Sequence, residues 1–137
     1  MTPDGRDMTF VLIYGGHRDT IDNIKARILA RYPYANVIII DWKNDPVNDD
    51  LLRRSTRRRV IEMITAGNIT AVLISQPCTT YSNCLGIQLR GQTKQTIWGL
   101  PGLEPRLAQL VKDHNTLSNF TQEIMELCAA RKIPWGV

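Results

Sequence analysis

No apolar run in this chain approaches the roughly 20 residues that a bilayer-spanning helix requires, so a helical membrane segment is not expected. Cysteine is scarce. The chain has three, Cys78, Cys84 and Cys128, an odd and sparse set that argues against a disulfide framework. This usage suits a reducing, intracellular compartment, cytoplasm or nucleus. Cys78 and Cys84 lack paired zinc-finger spacing, and His17 and His114 lie far from both, so no metal site is expected. The opening residues 1–7 are polar and carry acids, reading as neither a signal nor a transit peptide. There is no internal repeat, low-complexity tract or linker, and no dinucleotide fingerprint of glycines.

At 137 residues the length fits one domain. Apolar and charged content sit near globular averages. The net charge of +4 and isoelectric point near 9.2 permit a nucleic-acid partner without demanding one.

The apolar pattern alternates between two periods. Residues 8–14 read as a first strand closed by Gly15-Gly16. A helix follows over about 20–32, with Ile21, Ile24 and Ile28 on one face and Asp19 or Thr20 as its cap. Residues 36–42 supply a second strand ending at Asp41. A helix over about 49–66 turns Leu52, Val60, Ile61 and Ile64 inward, and Gly67-Asn68 stops it. Residues 69–74 are a continuous β-branched run, as in a buried parallel strand. Residues 83–102 lack periodicity and read as an ordered loop or flap. A long helix over about 104–131 precedes a short fourth strand at 133–137. Strands alternating with helices imply a parallel sheet with right-handed crossovers. The expected fold is therefore a three-layer, Rossmann-like α/β domain with a mainly parallel sheet.

Open α/β sheets place their chemistry beyond the carboxyl ends of the strands. Ser75-Gln76-Pro77-Cys78-Thr79-Thr80-Tyr81-Ser82 stands there. Pro77 restricts the backbone and Cys78 offers a nucleophile, where backbone and helix-end dipoles favour thiolate. Gly15-Gly16 reads equally well as a turn needing positive φ or as a loop approaching a ligand. Asp41, in the order expected of a ribose-binding acid, reads in that role ahead of a solvated turn residue. Trp42 beside it suits adenine stacking or plain core packing. Asp45, before Pro46, is a further candidate cofactor contact, whereas Asp49 and Asp50 read as helix caps.

Arg53, Arg54, Arg57, Arg58 and Arg59 read as a solvated helix face paired with Asp49, Asp50 and Glu62, ahead of a phosphate-binding patch. Arg90, Lys94 and Arg106 lie nearer the Pro77-Cys78 motif, better placed for a phosphate backbone. Cys128 and His114 read as packing residues of the last helix.

These elements resemble the cofactor-binding half of S-adenosylmethionine-dependent methyltransferases. The likeness is greatest to DNA cytosine-5 methyltransferases and their shorter viral, transposon and protist relatives. It rests on the first strand with Gly15-Gly16, the strand ending in Asp41, segment 45–52, and Pro77-Cys78-Thr79-Thr80-Tyr81-Ser82. Gly99-Leu100-Pro101-Gly102-Leu103, Asn115 and the long last helix also look like the shorter relatives. The resemblance implies S-adenosylmethionine held by Gly15, Gly16, Asp41, Trp42 and Asp45, with DNA as partner. It also implies a Cys78 thiolate attacking the pyrimidine carbon next to the one methylated, on a base taken out of the duplex.

Gln76 stands where the family has a first proline. The family's ring-protonating glutamate would follow Val137, and no target-recognition region is seen, so the expectation is a truncated methyltransferase fold of doubtful activity. Three alternatives accompany it. One is a non-catalytic nucleic-acid or protein interaction module on a degenerate scaffold. Another is an amino-group DNA methyltransferase, with Ser75 opening its tetrapeptide and Cys78 in the aromatic place. The last is a generic nucleotide-binding domain.

Overall fold

The computed structural model describes residues 3–16, 23–77, 81 and 86–137. Among them are four strands and three helices: β1 (Thr9–Ile13), α1 (Ile24–Arg31), β2 (Asn36–Ile40), α2 (Arg54–Ala66), β3 (Ala71–Ile74), α3 (Pro105–Ala130) and β4 (Trp135–Gly136). The strands form one sheet in the order β2-β1-β3-β4, and every pairing is parallel. The result is a small α/β domain of generic Rossmann-like topology. The order reverses between β1 and β3, where such folds open a crevice at the strands' carboxyl ends. No helix among the described residues is long and apolar enough to cross a membrane.

Strand alternation decides the core. Val11 and Ile13 of β1, Ile40 of β2, and Val72 and Ile74 of β3 share one face with Val60 and Ile64 of α2 and Phe120, Ile124 and Cys128 of α3. Val11, Val60, Ile64, Val72, Ile124 and Cys128 are fully buried, so truncating Ile64 to alanine should cost about 2–5 kcal/mol. Right-handed crossovers place α1 on the opposite face, and its packing is against β2.

Two helix starts differ from expectation. Helix α1 begins at Ile24, capped by Asn23, whose side chain accepts the amide of Ala26 at 2.8 Å. Asp19 and Thr20, the expected caps, lie outside the described residues. Helix α2 begins at Arg54, not near Asp49. Asp45 accepts the amides of Val47 and Asn48, and Asp50 accepts that of Leu52, so consecutive side-chain turns compete with helix there. Of the two acids expected to cap α2, Asp50 instead shapes the turn before it and Asp49 pairs with Arg59, while Arg53 stands at the N-cap without a side-chain bond. Gly67, at φ +93°, ends α2 as expected. Helix α3 starts on Pro105 at its first turn, where a missing N–H costs nothing; its 26 residues span about 39 Å.

Candidate functional site

The tips of β1, β2 and β3 carry Tyr14, Trp42 and Pro77, and all three line one cleft of about 450 Å³. Leu51 and Leu52 close one side; Leu110, Asp113, His114 and Leu117 of α3 close the other. The volume falls within the range usual for cofactor sites, about 300–1,000 Å³. Trp42 is 58% exposed, so it belongs to the cleft wall and not to the core. An indole face, four leucines and two prolines make a mainly apolar slot suited to a flat ring, edged by Asp49, Asp50, Asp113 and His114.

Gly15, Gly16 and Asp41 are not among the residues lining this cleft, which the glycine turn meets through Tyr14; the turn is built by two different needs. A Cβ on Gly15 would lie 2.9 Å from Leu12 Cβ and 3.1 Å from Ile39 Cγ2, so close packing demands glycine. Gly16 adopts φ +81° with nothing within 4 Å of where its Cβ would be, so conformation demands glycine and the space around it is open. Tyr14 also has a positive φ, +60°. Its hydroxyl is buried with no hydrogen-bond partner among the described residues. Burial raises its pKa well above the ordinary phenol value despite the pull of the Arg57 guanidinium.

Asp41 is buried and ties this turn to β2. One carboxylate oxygen accepts the Gly16 amide at 2.9 Å and the other the Lys43 amide at 2.9 Å. Asn44 completes the link by donating to the Gly16 carbonyl at 2.9 Å. Asp41, expected to face a ribose, is thus engaged with backbone, although each oxygen retains further acceptor capacity. Asp45 does not line the cleft that Trp42 walls. With Lys25, Asn44 and Asp49 it lines a polar pocket of about 240 Å³ that shares Asp49 with the cleft, and hydrogen bonds from Asn48 hold its carboxyl below the usual range.

Cys78 lies outside the described residues, as do Thr79, Thr80 and residues 82–85. The two ends of the segment between Pro77 and Tyr81 are described, and both reach α3 at one residue. Gln76 Nε2 donates to Ser118 Oγ at 3.1 Å, and Tyr81 Oη shares a short hydrogen bond with the same oxygen. The Tyr81 ring lies 3.8 Å from the Arg90 guanidinium carbon.

Arg90, expected to meet a phosphate backbone, is instead buried. Its Nη1 donates to Ile97 O at 3.0 Å and to Asn115 Oδ1 at 2.6 Å, because a guanidinium out of water needs acceptors for its donors. Lys94 and Arg106 are exposed. His114 is buried in the cleft wall; desolvation and the Arg90 charge lower its pKa, against the opposing effect of Asp113. Of the five arginines around α2, Arg59 pairs with Asp49 at 2.7 Å and Arg53 with Asp50 at 3.7 Å. Arg57 donates to the carbonyls of Leu51 and Leu52.

Sequence reading missed Ser118, Asn44 and Tyr14 as parts of the site. Ser118 bonds residues 42 and 37 positions away and has no local signature. Asn44 precedes Asp45 and Tyr14 precedes Gly15, and only the turn geometry reveals their part. No group of three or more His, Cys, Asp or Glu among the described residues could hold a metal ion. No protein-family model matches the chain, and no curated protein or solved structure shows significant similarity to it.

Proposed function

We propose that this domain is methyltransferase-like, of the DNA cytosine-5 type, and that the cleft walled by Trp42 takes S-adenosylmethionine. The observation supporting this reading is the shared cleft of Tyr14, Trp42 and Pro77. The residue before the glycine turn, the aromatic after the second strand and the proline preceding Cys78 converge there. Trp42 would stack on the adenine, while Asp41 orders the Gly15-Gly16 turn and offers its remaining acceptor capacity to the ribose. When bound, the sulfonium supplies an electrophilic methyl group. Cys78, following Pro77 at the cleft, would add as thiolate to the pyrimidine carbon beside the one methylated, on a base extruded from DNA.

Asp45 lines the polar pocket that adjoins the Trp42 cleft at Asp49 and not the cleft itself, so it has less support as a cofactor contact. On this reading β1, β2 and β3 would be the cofactor-binding strands of a shortened methyltransferase sheet.

DNA carrying 5-fluorocytosine tests the chemistry, because the ring fluorine blocks release of an attacking thiolate. With S-adenosylmethionine present, wild type should form a covalent adduct and Cys78→Ser none. Methyl transfer to adenine, without an adduct, would favour the amino-group alternative. Cofactor binding with no transfer to any base would favour the interaction-module alternative.

A further inference from the structure

No Asp or Glu lies between Glu62 and Glu104, and Arg90 and Lys94 are the only cations in that stretch. It contains Pro77-Cys78 and most of the loop leading to α3. Two hydrogen bonds fix that loop by its backbone. Arg90 Nη1 donates to the carbonyl of Ile97 at 3.0 Å, and Asn115 Nδ2 to that of Trp98 at 2.8 Å. Asn115 is itself bound by Arg90 at 2.6 Å.

With the Ile97 carbonyl held by Arg90 and the Trp98 carbonyl by Asn115 of α3, Ile97 and Trp98 remain 49% and 53% exposed. Tyr81, stacked on the same guanidinium, is 46% exposed. Single exposed apolar residues need no explanation. Two exposed aromatics and an isoleucine tied to one Arg90–Asn115 pair, on the stretch of chain proposed to carry the nucleophile, form a surface of another kind.

We propose that this is a base-stacking platform, in which Trp98 stacks on an unpaired base of a nucleic-acid strand and exposed Lys94 meets its phosphates. The proposal rests on the nucleic-acid substrate read above and names where the strand lies. Single-strand binding surfaces combine aromatic faces with cations, and this stretch contributes no acidic side chain of its own to repel a polyanion. Arg90 serves here as the pin beneath the platform, not as a phosphate ligand.

The test uses a variant carrying Trp42→Phe and Trp135→Phe, in which Trp98 is the remaining tryptophan. Oligothymidylate of about 12 nucleotides, within the usual site size, should quench its emission saturably, with affinity falling as salt rises. An abasic strand of equal length should quench little. In the full chain, Trp98→Ala should weaken binding by about fivefold or more, and Trp98→Phe should retain most of it.

Unquenched emission, equal affinity for the abasic strand, or unchanged binding by Trp98→Ala would overturn the platform. So would strand-free, concentration-dependent quenching with a doubled mass, which would give this face to a second copy. The covalent trap reads separately. An adduct with unquenched Trp98 removes the platform alone, whereas quenching without an adduct keeps the platform and removes the catalysis.

Discussion

The Asp41 carboxylate accepts the Gly16 amide at 2.9 Å, joining the end of β2 to the turn after β1. Its other oxygen accepts the Lys43 amide at the same distance. Asp41→Ala leaves both donors without this acceptor in a buried setting. The expected loss is about 1–3 kcal/mol, measured by urea unfolding. Asp41→Asn keeps an acceptor and should lose less. An acid acting only on a ligand would leave the stability of the ligand-free protein unchanged.

Gly15 and Gly16 should respond differently to alanine. Gly15→Ala places a methyl 2.9 Å from Leu12 Cβ, and the expected cost is about 1–3 kcal/mol from overpacking. Gly16→Ala meets no atom within 4 Å but must hold φ +81°, for about 1–2 kcal/mol. Thermal unfolding reads both. A Gly16→Ala protein that stays folded yet loses cofactor binding would show that the open space beside Gly16 serves a ligand.

Ser118 holds Gln76 and Tyr81 together on α3. Ser118→Ala should cost about 1 kcal/mol and speed amide hydrogen exchange at Gln76 and Tyr81, with α2 unaffected. Unchanged exchange at both positions would mean that the serine does not anchor this segment.

His114 gives the cleft a pH dependence. Burial and the Arg90 charge lower its folded pKa below the ordinary value of about 6.5. Above about pH 6.5 the imidazole is neutral in both states, and its contribution to stability is complete. As pH falls through the folded value, the unfolded chain binds the proton more readily and stability declines. Urea unfolding at about pH 7.5 and about pH 5.5 should show a smaller decline in His114→Gln than in wild type. Equal declines would remove His114 as a source of the slope.

Much of the fold is legible in the sequence because burial leaves periodic marks. The run through Ala71–Ile74, the spacing of Leu117, Phe120 and Ile124, and Gly67 after α2 each report one local constraint. Residues 45–53 were harder to read. Their acids suit a helix cap and a side-chain turn equally well, and hydrogen bonding within the turn decided the outcome.

In the site, Trp42 and Pro77 were visible as motif residues, and the sheet brings both to one cleft. Arg90 was misread because sequence reports its charge but not its partners. Its acceptors are the carbonyl of Ile97 and a side chain on α3. Contacts such as Ser118 with Gln76 depend on tertiary placement, which no local pattern encodes.

The most direct measurement is calorimetric titration of the wild-type chain and Trp42→Ala with S-adenosylmethionine and its demethylated product. The expected result is saturable heat with wild type and at least about tenfold weaker binding by the variant, equivalent to 1.4 kcal/mol. No heat at millimolar ligand, or equal binding by both proteins, would contradict cofactor binding in the cleft beneath Trp42.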